Sequence, residues 1–367
     1  MIIFIPTNKR TETLPYALKS ILNVHHSKIS ERILILVRNN YLPDKKKIDE
    51  IISSLKFNDK IYCKVVHAQK KSVTFFEWYD LIFEFAKKNE AVTILGDDDL
   101  LNPFGIENRF KEINRLKGDL LISFHSSRLV FFDRAKFCWP NFTKRVWKKN
   151  LKCKTSFYLE NFMDASFISN HFFRNTAGFH KGLKLVKKWC DTQTWASLAT
   201  VTGLIFFYIM YAIKEQGGKV LILPEYSVIR GQVFEESLYQ IHSDGRSEFM
   251  FSLLILNIFS NKKIHKNPNI FNREKKFLLN SLRKNLYELL NIKEHEFSQI
   301  KIGMKLTNLS WTEIIISKEL FNIRLLLRFI FPFLSGYAYK KILKNRKKLI
   351  ESNSYLDQLK KENKHHC

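Results

Sequence analysis

The chain has 367 residues, 45% of them hydrophobic and 14% aromatic, which excludes a disordered polymer and allows a sizeable core. A formal charge of +26 calls for an anionic partner, whether phosphate, nucleic acid or an acidic membrane surface. Five cysteines without a CxxC pair or regular spacing argue against a zinc or disulfide framework and for reduced thiols in a cytoplasmic protein.

The N-terminal stretch Met1-Ile-Ile-Phe-Ile-Pro6 has no basic n-region or cleavage site, so no signal peptide is expected. Ile2 to Ile5 instead predict a short, fully buried strand, stopped by Pro6 and followed by the polar loop Thr7-Asn8-Lys9-Arg10-Thr11. Residues 12–23 predict a helix with Leu14, Leu18, Ile21 and Leu22 on one face. A second buried strand, Ile33 to Val37, ends in Arg38-Asn39-Asn40. A helix over 45–55, a strand over 60–67 and a Phe- and Tyr-rich helix over 73–88 follow. Short apolar strands alternating with helices predict a parallel, doubly wound α/β sheet.

The next strand, Ala91 to Leu95, ends in Gly96 and three carboxylates, Asp97, Asp98 and Asp99. Ligands of such sheets sit outside the carboxyl ends of the strands, and consecutive acids there suit a hard divalent cation such as Mg²⁺, which also takes phosphate oxygens. The alternative is a solvated acidic turn.

From Gly118 the pattern loosens. Asp119 to Phe124 predict a strand, with Arg128 to Phe132 as its neighbour. The segment 172–180 reads as a strand and a glycine turn. Residues 198–213 carry no charge but are too few for a membrane span, which predicts a buried helix ended by Gly217-Gly218. Lys219 to Pro224 form a further strand, with Tyr226 to Arg230 after it. Beyond about residue 244 the chain turns helical and Lys/Asn-rich, and the terminal Lys364-His-His-Cys367 reads as a tail. Residues 320–339 are mainly apolar, but Arg324 and Arg328 make a span costly. The cluster Lys340, Lys341, Lys344, Arg346, Lys347 and Lys348 follows directly, as in an interfacial anchor on an anionic bilayer, at roughly 1 kcal/mol per basic residue, or else as the solvated tail of a core helix.

The order of strand–Pro6-Thr7-Asn8-Lys9-Arg10, strand–Val37-Arg38-Asn39-Asn40 and strand–Gly96-Asp97-Asp98-Asp99 resembles the nucleotide-binding half of family 2 glycosyltransferases with the GT-A fold. The segment Leu95 to Pro103 looks like that family's DxD motif and the turn after it. The resemblance covers residues 1–105 and, more loosely, 118–232. It implies a GT-A-type, mostly parallel sheet in a catalytic domain of residues 1–243, divided into a nucleotide-sugar half (1–105) and an acceptor half (106–243). Residues 244–367 form a helical, basic C-terminal region. It further implies inverting transfer of a sugar from a nucleotide-diphosphate sugar, with Mn²⁺ or Mg²⁺ held by Asp97 and Asp99.

By the same resemblance, Thr7, Asn8, Arg10, Asn39, Asp97, Asp98 and Arg230 line the nucleotide-sugar site. The family has Asp where this chain offers Asn39 or Asn40; an amide still hydrogen-bonds a base edge. The family's glycine after the third strand is replaced by Lys71-Ser72-Val73, whose Lys71 either meets a phosphate or is solvated. An inverting transferase needs a carboxylate base near the acceptor hydroxyl. The family's Glu-Asp pair is absent, which leaves Asp191 as its substitute, or else as a helix N-cap, and Asp164 as a second choice. His242 either serves the diphosphate or is structural, and Trp189 and Trp195 either stack on a sugar or pack in the core.

The expected setting is the inner face of a bacterial plasma membrane, where a lipid-linked or glycan acceptor of surface polysaccharide (LPS, O-antigen or capsule) would be extended. Two other readings compete. A nucleic-acid-binding protein fits the charge, yet basic residues form no stripe, no nucleic-acid motif appears and the acids go unexplained. A sugar nucleotidyltransferase also needs carboxylates and a metal, but its glycine-rich, arginine-bearing N-terminal loop is missing.

Overall fold

Ile2 to Ile5 show no polar alternation because both faces of their strand are covered, as in the centre of a parallel sheet. In the computed structural model these residues form β1 (Ile2–Thr7), which is buried throughout between β2 (Ile33–Asn39) and β4 (Ala91–Ile94). The structure describes residues 1–23, 31–69, 75–116, 118–132, 136–138, 151–152, 168–194, 208–210, 212–213, 216–233, 252–257, 279, 282 and 294–312.

Strand β3 (Ile61–His67) lies outside β2, and β3, β2, β1 and β4 are all parallel. On the other side of β4 the sheet becomes mixed. β9 (His171–Arg174) runs antiparallel to both β4 and β6 (Leu120–Phe132), and β6 pairs in parallel with β10 (Val220–Val233). The two-residue β5 (Leu100–Leu101) closes that edge, antiparallel to β10. Short strands β7 (Lys136–Cys138) and β8 (Leu151–Lys152) pair with β6 and β10. The fold is therefore α/β, with a largely parallel mixed sheet flanked by helices.

Alternate residues of each strand feed two cores, the period-2 consequence of the pleat. Ile3 and Ile5 of β1 face α1 (Leu14–Leu22), α2 (Lys45–Ser54) and α4 (Pro103–Leu116) through Leu14, Leu18, Ile21, Ile48, Ile106 and Ile113. Ile2 and Phe4 face α3 (Phe76–Phe85) and α5 (Ala177–Cys190). Part of the phenylalanine excess is spent here. Phe173 stacks on Phe179 at 4.2 Å, and Tyr79 lies 5.6 and 5.7 Å from these two rings. Helical residues 252–256, together with Leu282 and the buried side of α6 (Glu294–Leu306), join this second core. The C-terminal segment described is thus helical, and no helix among the described residues is long and apolar enough to cross a membrane. The proposed anchor at 320–348 lies outside the described residues.

Three expectations need correction. Residues 120–132 form one strand, not two neighbours, because β10 runs beside the whole of it. Residues 220–233 are likewise one strand, and it passes through Pro224 because the pairing shifts register between Leu223 and Val228, leaving Pro224 where no ladder bond is required. The glycine turn expected at 172–180 is the start of α5, capped by the Thr176 hydroxyl, which accepts from the Phe179 N–H at 3.2 Å. Gly178 is there for proximity, since a Cβ would stand 3.0 Å from an Asp119 carboxylate oxygen. Of the predicted helix over 198–213, residues 208–210 and 212–213 are helical; it ends at Gly217, whose φ of +76° suits glycine.

Candidate active site

The strands progress from β1 outward to β3, and the chain then returns to place β4 on the other side of β1. This reversal opens a crevice at the carboxyl ends of β1 and β4. Two loops meet there: residues 7–11 after β1 and residues 96–99 after β4.

The β4 loop is a tight turn, with the Asp99 N–H donating to the Gly96 carbonyl at 3.1 Å. The carboxylates fold back over Gly96 so closely that a Cβ would lie 2.6 Å from Asp99 Oδ2 and 3.2 Å from Asp98 Oδ1. Glycine is required here for close approach.

The three acids have different surroundings. Asp99 is buried, and both its oxygens are engaged. Ser169 Oγ donates to Oδ2 at 2.5 Å and the Gly231 N–H donates to Oδ1 at 2.7 Å. Ser169 Oγ itself accepts from the Gly96 N–H at 2.8 Å. Behind it lies the fully buried Arg109, which donates to the Ser169 carbonyl at 3.1 Å and to Thr93 Oγ1 at 3.3 Å. Burial alone drops the Arg109 guanidinium to a pKa of about 9. Asp97 and Asp98 face the β1 loop instead, where Arg10 donates to Asp98 Oδ2 at 3.0 Å and to Asp97 Oδ1 at 3.4 Å.

Burial raises Asp97 to about 7; Arg10 opposes the rise, Asp98 adds to it, and the Thr7 hydroxyl and Asn8 backbone N–H lower it. The Thr7 hydroxyl nonetheless lies outside good hydrogen-bonding geometry and is a buried group without a partner. Asp99 rises to about 8, also chiefly through burial and then through Asp98, against Ser169, Gly231 and Arg230.

The other sequence candidates are distributed as follows. Asn8 is exposed at the rim, with its N–H toward Asp97. Arg230, half-buried on β10, is near enough to Asp99 to favour its charge. Asn39 differs from expectation. Its side chain is wholly buried: Oδ1 accepts from the Tyr41 N–H at 2.9 Å and Nδ2 pairs with His67 Nδ1 at 3.2 Å. His67 Nε2 in turn pairs with Asp49 at 3.0 Å. Asn39 braces the ends of β2 and β3 and presents no surface to a base.

Asp191 caps the C-terminus of α5 and not the start of the next helix, and its carboxylate is exposed. Helix α5 runs antiparallel to α3. His180 near its start lies 4.2 Å from Phe83, and Lys187 near its end lies over Phe76, the first residue of α3, at 6.0 Å. Because α3 starts at the carboxyl edge of the sheet, Asp191 comes to the same edge as the acids. Trp189 is buried against Tyr208 at 4.3 Å and is a core residue. Lys71, Asp164, Trp195 and His242 lie outside the described residues.

Sequence reasoning missed Ser169, Arg109 and Gly231. Arg109 left a signal, because it falls on the apolar stripe Ile106, Phe110, Ile113 of α4 at helical spacing. Ser169 left none.

The acids partly fit a divalent cation. No group of three or more potential ligands assembles among the described residues. Asp97 and Asp98 nonetheless offer the pair of hard oxygens that Mg²⁺ or Mn²⁺ takes when phosphates and water complete its shell. Asp99 accepts one hydrogen bond on each oxygen, so its carboxylate also ties down the turn.

No family model and no curated protein matches the chain. Among solved structures it is similar to S. aureus TarS residues 1–349, at 12% identity over 86% of this chain and 80% of that one, with a TM-score of 0.49. The same protein in complex with UDP gives 12% identity, 83% and 79% coverage, and a TM-score of 0.48. The mannosyltransferase PcManGT from Pyrobaculum calidifontis, in complex with GDP-Man and Mn²⁺, gives 9%, 90% and 86%, and 0.45.

Proposed function

We propose that the chain is a glycosyltransferase that moves a sugar from a nucleotide-diphosphate donor to a glycan or lipid-linked acceptor, with inversion and with Mn²⁺ or Mg²⁺. The observation that carries this reading is the meeting of Arg10 with Asp97 and Asp98 in the crevice where the strand order reverses. A switch-point crevice takes a nucleotide, and paired acids beside basic groups take the cation and oxygens of a diphosphate. This is a site for stabilising a diphosphate as it leaves.

In this reading Asp97 and Asp98 hold the cation, and Asp99 fixes the turn that carries them. A cation held there would supply positive charge to the departing diphosphate. Arg10 and Arg230 add positively charged donors on the same edge. The acceptor hydroxyl attacks the anomeric carbon, the bond from that carbon to the diphosphate oxygen breaks, and the hydroxyl proton passes to a carboxylate. Asp191 is our choice for that base, supported by its exposure and its delivery by α5 to the carboxyl edge. The basic run after residue 339 and the net charge of +26 support a peripheral position on an anionic, cytoplasmic-side membrane, with a phosphorylated, lipid-linked acceptor for bacterial surface polysaccharide.

The test is calorimetric titration of UDP, GDP, CDP and dTDP, each with and without Mn²⁺. Metal-dependent binding of one nucleotide that is lost in Asp98→Asn is the expected result. Binding of short DNA or RNA with steep salt dependence, and of no nucleotide, would overturn the assignment.

A further inference from the structure

Arg10 occupies the space that a cation shared by Asp97 and Asp98 would need. Its Nη1 stands 3.0 Å from Asp98 Oδ2 and 3.4 Å from Asp97 Oδ1. A guanidinium and a divalent ion cannot both sit between those oxygens, so the two compete for one place.

The backbone at this point is fixed while the side chain is not enclosed. The Arg10 carbonyl accepts from the Thr13 N–H at 3.3 Å, from the Thr13 hydroxyl at 3.2 Å and from the Leu14 N–H at 3.3 Å, which ties it to the first turn of α1. Lys9, just before it, has a φ of 59°, a left-handed conformation that non-glycine residues hold only where the surroundings impose it. The Arg10 side chain, by contrast, is 26% exposed at the cleft. Beside Asp97 the Thr7 side chain is buried as well.

The geometry points to Arg10 as a resident counter-cation of the Asp97–Asp98 pair, one that vacates it when a divalent ion binds. This rests on the donor-site reading above. The diphosphate offers the displaced guanidinium a new anionic partner, with which it forms charge-assisted, bidentate hydrogen bonds. Metal and nucleotide therefore bind with positive coupling, because each relieves the charge the other leaves uncompensated. Without nucleotide, Arg10 holds the metal affinity down.

The test uses the full chain and Mn²⁺ as the probe, with free ion measured by electron paramagnetic resonance. Arg10→Met keeps the length of the side chain and removes its charge; Arg10→Gln is the second variant. In the absence of nucleotide, both should bind Mn²⁺ at least about tenfold more tightly than the wild type. Adding Asp98→Asn to Arg10→Met should abolish that gain. The tightening of Mn²⁺ binding by nucleoside diphosphate, present in the wild type, should shrink in both single variants.

Equal or weaker Mn²⁺ binding by the variants overturns the proposal, as does a gain that survives Asp98→Asn. Failure of both variants to fold also overturns it, since Arg10 would then be a structural ion-pair partner. The donor-site reading fails separately. If no nucleoside diphosphate binds the wild type while the metal arm behaves as expected, the counter-cation stands and the transferase does not.

Discussion

Ser169 donates a 2.5 Å hydrogen bond to Asp99 across 70 residues of chain, and this contact divides three adjacent, chemically identical acids into two kinds. Asp99 is a clamp, held by a hydroxyl on one oxygen and a backbone N–H on the other. Truncating it should therefore act on stability. Asp99→Ala leaves the Ser169 hydroxyl and the Gly231 N–H buried without an acceptor and should cost about 2–4 kcal/mol. Asp99→Asn keeps an acceptor and should cost about 1 kcal/mol or less. Urea denaturation at neutral pH reads both, and equal losses would remove the clamp.

The raised pKa values set the sign of the pH dependence. Asp99 titrates near 8 in the folded chain against an ordinary value of 3.8, so the folded state holds its proton where the unfolded state has released it. Its contribution to stability is full below about pH 4 and is lost as pH rises toward 8. Asp97 behaves likewise up to about 7. In chelator-treated protein, the stability of the wild type relative to Asp99→Asn should increase as pH falls from 8 to 5. A flat difference across that range would contradict the burial seen at Asp99.

Asp98 faces the cleft and Arg10, so its loss should act on binding. Asp98→Asn should weaken Mn²⁺-dependent nucleotide binding at least about tenfold while the melting temperature stays within a degree or two of the wild type. A variant that melts early but binds normally would exchange the roles of Asp98 and Asp99.

Asp191 is the candidate base. Asp191→Asn should lower turnover by about 10²- to 10⁴-fold with nucleotide affinity unchanged, the pattern of a group that acts on the acceptor proton alone. Single-turnover transfer together with nucleotide binding checks both halves. Full turnover would return Asp191 to a solvated helix cap.

The parallel half of the sheet was legible because buried strands announce themselves. Ile2 to Ile5 and Ile33 to Val37 have no polar residue to hide, and Gly96 with three acids marks where β4 must stop. What could not be read were relationships between distant residues. Gly178 looks like a turn in sequence, since a glycine chosen for closeness to Asp119 carries the same letter as one chosen for its φ. Asn39 looks like a ligand group until Tyr41 and His67 claim both ends of its amide. Nor can sequence rank Asp97, Asp98 and Asp99, because Ser169 and Gly231, the partners that sort them, stand 70 and 132 residues further along the chain.

Those separations also order events during folding. Residues 1–105 hold the crevice strands and all three carboxylates, yet the groups that lock the turn have not been synthesised when that segment leaves the ribosome. The acid turn can take its final shape only after β9 and then β10 have added to the sheet, closures over long loops that come late. Until then the nascent chain carries a cluster of unclamped acids beside its own basic loop. The turn that presents Asp97 and Asp98 is thus closed by chain that emerges only after both acids.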